Sequence, residues 1–276
     1  MQATGDRDTR HMTATTTDIG FGALAARAVL ITGATSGLGL AMGSALAQAG
    51  AAVAVTGRSA ERAHAIAAGL PNAVGIELDV RDESSVGRAV DEAWTRLGGL
   101  DMLVNNAGIG MRTVNPRFLE EPQPFWKVTP AGFRDVAETK LVGCFLTARE
   151  VVPRMLEHEG GRIVNISMNE GTMVRRGFVP YGPSGAGVEA LSRVMAADLA
   201  GSSVTVNILL PGGRGTKTGM IPADAPAEVQ TRLQDPAVMG QPIIWLASHE
   251  ATGLHDARTI ASDFQSWQET HRSAHK

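Results

Sequence analysis

Ala28-Val29-Leu30-Ile31-Thr32-Gly33-Ala34-Thr35-Ser36-Gly37-Leu38-Gly39 reads as strand, turn and helix start in direct succession. The first five residues form a short apolar run suited to a buried parallel strand. From Leu38 to Ala49 the chain is apolar-rich with helical spacing, and Gly50 stands at its end. A glycine turn between such elements lets backbone amides approach a pyrophosphate, and the helix N-terminus adds partial positive charge. Glycines alone also make tight turns, so the next strand carries much of the weight. Ala51 to Thr56 is apolar and runs into Gly57-Arg58-Ser59, where a dinucleotide fold reads the adenosine ribose. An acidic residue there favours a free ribose hydroxyl, whereas Arg58 pairs with a 2′-phosphate, so the cofactor expected is NADP(H).

Further strand-like runs, Val74 to Val80, Met102 to Asn105, Arg162 to Ser167 and Val204 to Leu210, alternate with helical stretches near Ser84 to Leu97, Thr129 to Leu156 and Ser184 to Leu199. The expectation is an α/β fold: one doubly wound parallel sheet with helices on both faces, within a single domain spanning residues 23–262. Residues 1–22, rich in Thr, Asp and Arg, read as a flexible leader. Residues 212–241, with Pro222, Pro226 and Pro236, read as a substrate lid. The tail, 263–276, is either a docking helix or disordered.

The 276 residues carry a net charge of −3 with interspersed signs, which gives no basic stripe for nucleic acid. Cys144 is the single cysteine, so an intrachain disulfide and a cysteine-based metal site are both excluded, and no metal is expected. Its neighbours Gly143, Phe145 and Leu146 suggest packing rather than reactivity. No stretch is apolar enough to span a bilayer, and no secretory hydrophobic region starts the chain. A cytoplasmic setting, with a small-molecule substrate and no membrane partner, is the expectation.

The glycine motif, Asp79-Val80, Asn105-Asn106-Ala107-Gly108, Gly161-Arg162-Ile163-Val164-Asn165-Ile166-Ser167, Tyr181 and Pro211-Gly212-Gly213 follow one another in order. Over Ala25 to Ala261 the chain resembles the short-chain dehydrogenase/reductase family. The resemblance implies a Rossmann-like domain, assembled as a homodimer or homotetramer, that moves hydride between a nicotinamide and a carbonyl or alcohol. It implies a cofactor site of Gly33, Thr35, Ser36, Gly37, Leu38, Gly39, Arg58, Ser59, Asp79, Val80, Asn106, Ala107, Gly108, Tyr181, Pro211 and Gly212, with Thr216 or Thr218 near the nicotinamide.

The resemblance also implies a catalytic set of tyrosine, lysine, serine and asparagine, and here the chain departs from it. Tyr181 is present, but the lysine position is Gly185, the serine position Met168 and the asparagine position Lys140. Ser167 is expected to point away from the site, because neighbours on a strand face opposite sides. Without a cation beside it, Tyr181 stays a neutral phenol at pH 7, able to donate a proton but poor at accepting one. Lys140 is the candidate replacement, a long side chain reaching the space that Gly185 leaves open. Asn169 and Glu170 are candidates to enter the pocket, and Arg175 and Arg176 to meet an anionic substrate, against the plainer reading of all four as solvated. The leading function is carbonyl or imine reduction of a small apolar or cyclic compound. The alternatives are a non-redox cyclase, isomerase or lyase on the same fold, or a catalytically silent nucleotide-binding protein.

Overall fold

Seven parallel strands make one sheet in the order β3-β2-β1-β4-β5-β6-β7. The computed structural model describes residues 23–213, 215–222 and 224–274; the leader assigned to residues 1–22 lies outside them. The strands are β1 Ala28–Ile31, β2 Ala52–Gly57, β3 Ala73–Glu77, β4 Met102–Asn105, β5 Gly161–Ile166, β6 Val204–Leu210 and β7 Arg258–Ile260. The helices are α1 Gly37–Gln48, α2 Ala60–Ala68, α3 Glu83–Leu97, α4 Pro130–Ala137, α5 Gly143–Glu157, α6 Glu170–Met173, α7 Tyr181–Asp198, α8 Ala227–Gln230, α9 Gly240–Ala247 and α10 Phe264–Ala274.

Alternation along the strands sorts the core into two layers. Val29, Ile31, Val53, Val104 and Leu209 pack with Met42 and Leu46 of α1 and Ile243 and Leu246 of α9. Leu30, Ala54, Leu103, Ile163 and Val206 pack on the other face with Val86 and Val90 of α3 and Val151 and Met155 of α5. The chain moves outward from β1 to β3, then crosses back to β4 beside β1. That reversal parts the loops after β1 and β4 and opens a crevice at the carboxyl ends of the strands.

The stretch from Thr129 to Leu156 is not one regular helix. A π-helical turn, Glu138–Val142, separates α4 from α5. A widened turn rotates the residues it carries relative to an unbroken α-helix, and Lys140 is buried within this one. Of the two readings of the tail, the docking helix is formed. The rings of Phe264 and Trp267 lie 5.8 and 5.4 Å from Trp245 of α9. β7, only three residues long, carries no alternation to betray it and is held by its pairing with β6.

Candidate active site

Thr32, at the end of β1, ties the two sides of the crevice together. Its hydroxyl oxygen accepts from the backbone amides of Asn106 and Ala107, both at 2.9 Å. The Asn106 side-chain amide donates to the carbonyls of Thr32 and Gly33 at 2.9 and 3.0 Å. Gly33 and Gly37 adopt φ of +64° and +56°, which a side chain disfavours. The Ser36 side chain makes no capping bond, so the first-turn amides of α1 lack an intrahelical or capping partner and border the crevice through Gly37 and Leu38. The turn thus fits a diphosphate: close backbone approach, free donors and a helix N-terminus in one place.

A cleft of about 1080 Å³ runs from this turn past Tyr181 to the lid. That volume exceeds the usual range for a single small ligand and suits a dinucleotide with a substrate beside it. Gly33, Thr35, Ser36, Gly37, Leu38, Arg58, Asp79, Val80, Asn106, Ala107, Gly108, Lys140, Tyr181, Pro211 and Gly212 all line it, as do Thr216 and Thr218 of the lid.

Two expected cofactor residues do not border the cleft. A Cβ at Gly39 would stand 2.5 Å from the Gly33 carbonyl oxygen and 2.4 Å from Asn106 Nδ2, so this glycine serves the close seating of α1 under the turn. Ser59 is spent as the cap of α2, its hydroxyl accepting from the Arg62 amide at 3.2 Å. That cap turns α2 so that Arg62, which the sequence reading passed over, borders the cleft beside Arg58 and donates to the Thr35 carbonyl at 3.3 Å. The Ser-Ala-Glu-Arg start of a helix directly after Arg58 was the available signal. Asp79 borders the cleft with its carboxylate already bonded by Arg81 at 2.7 and 3.0 Å, and that guanidinium holds its pKa below the ordinary value. Asn169 reaches the rim and donates to the Gly213 carbonyl at 2.6 Å. Glu170 is exposed at the start of α6 and does not border the cleft; Arg175 does, and Arg176 does not.

The positions at which the chain departs from the resemblance meet through packing. A Cβ at Gly185 would lie 2.5 Å from Met168 Cε and 2.9 Å from its Sδ, so the thioether fills the place expected for the Lys140 chain. The serine and lysine positions are thus coupled by contact. Lys140 instead lies over Tyr181, its Nζ 5.6 Å from the ring centroid. Its ammonium has no carboxylate partner among the described residues, and burial lowers its pKa to about 8. Burial also raises the pKa of Tyr181, the chain's single tyrosine. Near pH 7 the pair therefore stands as an ammonium beside a neutral phenol.

Beyond Lys140, a cavity of about 10 Å³ is bounded by Thr32, Asn105 and Cys144. The Cys144 thiol, pushed up to about 12 by burial, is a packing group. Ser167, expected to point away, borders the cleft with its hydroxyl already committed, donating to Glu189 at 2.6 Å. Glu189 is ion-paired with Arg258 at 3.0 Å, and Arg258 donates to the Met168 carbonyl at 3.2 Å, fixing the backbone that carries the thioether.

The chain belongs to the short-chain dehydrogenase family, whose sequence model matches residues 27–226. Members of that family are oxidoreductases that bind nicotinamide cofactors. The chain is 35% identical over 240 residues to a cis-4-hydroxycyclohexanecarboxylate dehydrogenase of Sinomonas cyclohexanicum, covering 83% of this chain and 92% of the relative. It is 36% identical over 188 residues to a 3-oxoacyl-[acyl-carrier-protein] reductase of Aquifex aeolicus, covering 66% and 72%. Among solved structures, a short-chain type dehydrogenase/reductase from Mycobacterium marinum superposes with a TM-score of 0.76 at 28% identity, over 87% of this chain and 96% of that one. A 3-ketoacyl-(acyl-carrier-protein) reductase from Brucella melitensis, solved with NADH, superposes with a TM-score of 0.74 at 26% identity, over 85% and 96%. No helix among the described residues is long and apolar enough to cross a membrane.

Two predictions test the rebuilt site. Lys140 binds its proton less tightly folded than unfolded, so its charged form opposes folding fully below pH 8, and that cost is lost as pH rises from about 8 to 10.5. Lys140→Met is expected to stabilise the protein by about 3 kcal/mol at pH 7 and by progressively less above pH 8, read by denaturant unfolding across pH. Gly185→Ala is expected to lack the usual helix gain of about 1 kcal/mol while Met168 is present and to recover it with Met168→Ala. A double-mutant cycle with coupling near zero contradicts the steric link.

Proposed function

We propose that this protein is an NADP(H)-dependent reductase acting on a carbonyl or imine of a small apolar or cyclic compound. The observation that carries the reading is a half-buried Tyr181, its phenol held protonated by desolvation, opening onto the same cleft as the glycine turn. The relatives support the reaction class: one is named for a 3-oxoacyl substrate and another for a hydroxycyclohexanecarboxylate.

In this reading the amides at Gly37 and Leu38 hold the diphosphate. Arg58 and Arg62 hold the 2′-phosphate, and Ala107, Gly108, Thr216 and Thr218 line the nicotinamide end. When bound, the reduced nicotinamide supplies a hydride. The chain's own work is to bind, orient and protonate. Tyr181 donates its phenolic proton to the substrate oxygen or nitrogen, and the negative charge that develops on the ring oxygen is favoured by the Lys140 ammonium over the ring. Lys140, titrating near 8, is matched to proton exchange at neutral pH.

Oxidation in the reverse sense starts from a tyrosinate, whereas desolvation keeps the resting Tyr181 a neutral phenol, so the resting site is poised to give a proton rather than to take one. Met168 offers no donor to the carbonyl oxygen, and losing one such donor costs on the order of 10²-fold in rate. The Met111, Phe118, Phe178 and Ile221 cluster beside Tyr181 supports an apolar substrate body.

The deciding experiment is a binding titration with NADPH and NADH, followed by absorbance at the reduced-nicotinamide band with a panel of cyclic ketones and imines. NADPH is expected to bind and to be consumed, with turnover falling as pH rises through about 8 and that fall absent in Lys140→Met. Binding without consumption across the panel overturns the reductase reading, and product formed without consumption establishes non-redox chemistry. For cofactor choice, Arg58→Ala is expected to weaken NADPH about tenfold or more with little change for NADH, measured as Kd; an equal loss for both contradicts the 2′-phosphate assignment.

A further inference from the structure

The chain is acidic overall, yet its cleft is strongly basic. Six arginines and Lys140 border it against two carboxylates, Asp79 and Glu228, in a protein of net charge −3. Asp79 is neutralised by Arg81. Arg58 and Arg62 flank the glycine turn, where a cofactor phosphate accounts for them. Three remain: Arg112 and Arg175, linked to the surroundings of Tyr181, and Arg232, which borders the cleft from the stretch after α8.

None of the three has a carboxylate partner among the described residues, whereas many arginines elsewhere do, such as Arg27 with Asp101, Arg149 with Glu83 and Arg193 with Asp256. Two of them stand one contact from the groups that touch Tyr181. The Arg175 guanidinium lies 4.6 Å from the Phe178 ring centroid, and that ring lies 6.4 Å from Tyr181. Arg112 Nη1 donates to the Gly219 carbonyl at 3.4 Å, and the next residue, Met220, places its Sδ 3.7 Å from the Tyr181 hydroxyl. Packed with Tyr181 in this part of the cleft is an apolar wall of Met111, Phe118, Phe178 and Ile221, on which the Arg175 guanidinium rests.

An uncharged ligand would satisfy the wall and leave the cations unused. A free inorganic anion would satisfy the cations and not the wall. We propose that this half of the cleft binds an amphipathic anion: an apolar body carrying the reacting carbonyl near Tyr181 and ending in a carboxylate or phosphate held by Arg112, Arg175 and Arg232. Planar guanidinium groups pair with either head group in bidentate fashion. Exposed at the rim, they stay partly hydrated and hold an anion at the mouth while the body enters the dry wall. The succession Tyr181, Phe178, Arg175 sets the spacing, with the two ends of the ligand separated by a short acyl chain or a ring skeleton. This inference rests on the reductase reading for the position of the carbonyl, but anion recognition itself does not require hydride transfer.

The test is equilibrium binding to the full chain with NADP⁺ present, using octanoate, octyl phosphate and methyl octanoate as probes in calorimetry. Octanoate or octyl phosphate is expected to bind about tenfold or more tighter than the ester, as one charge-assisted pair implies, and the stronger of the two identifies the head group. Arg175→Ala and Arg112→Ala are each expected to remove most of that preference while leaving the Kd for NADPH unchanged. Equal binding of anion and ester, or of neither, overturns the proposal. So does a preference that survives the triple Arg112, Arg175 and Arg232 to Ala change but disappears in Lys140→Met, which places the anion at the buried ammonium instead. Failure of the reductase reading shows separately, as an intact anion preference with no NADPH consumed.

Discussion

One threonine hydroxyl organises the ligand-binding end of the sheet. Thr32 Oγ1 accepts two backbone amides from the start of the β4 loop, while the Asn106 side chain answers by donating to the Thr32 and Gly33 carbonyls. These bonds join the loops on either side of the point where the strand order reverses. Buried backbone groups in such loops need partners, and reciprocal bonding supplies them without closing the crevice. The positive φ of Gly33 and the tight seating of Gly39 follow from the same geometry, because α1 must begin directly beneath the turn.

Within that frame the catalytic end is altered by exchange of volume. A methionine on the loop after β5 occupies the space beside a glycine one turn into α7, and a lysine held in a π-helical turn brings its ammonium over the Tyr181 ring. A positive charge stands near Tyr181, carried by Lys140 rather than by the position that the family resemblance implies. Burial sets the protonation states: the ammonium is weakened, the phenol strengthened as a proton holder, and the pair is biased toward giving a proton rather than taking one.

Electrostatics on a larger scale act in the same direction. Unpaired arginines along the cleft create a positive field inside an acidic protein, and low-dielectric walls focus that field on whatever enters. Outside the cleft many arginines are neutralised by nearby carboxylates, including the Arg258–Glu189 pair that holds the Met168 backbone. The division separates cations that support structure from cations free to meet ligands.

The sequence alone determined the parallel sheet and most of the residues that border the cleft, because those depend on local signals: apolar strand runs, glycines at fixed offsets and short polar loops after each strand. It also showed where the chain departs from the residues that the resemblance implies, at Lys140, Met168 and Gly185. Only the tertiary structure decided what the differences do. That Met168 rather than Lys140 fills the space at Gly185 depends on how far apart β5 and α7 sit, and no spacing within the chain encodes that distance. The π-helical turn that brings Lys140 inward was hidden inside a stretch whose periodicity reads as one helix. Ser59 passed from ligand contact to helix cap, and Arg62 took its place at the cleft, because a cap's own hydrogen bond competes with any ligand for the same oxygen. Short β7 and the seating of α10 on Trp245 are likewise tertiary decisions, made by pairing and aromatic packing rather than by local pattern.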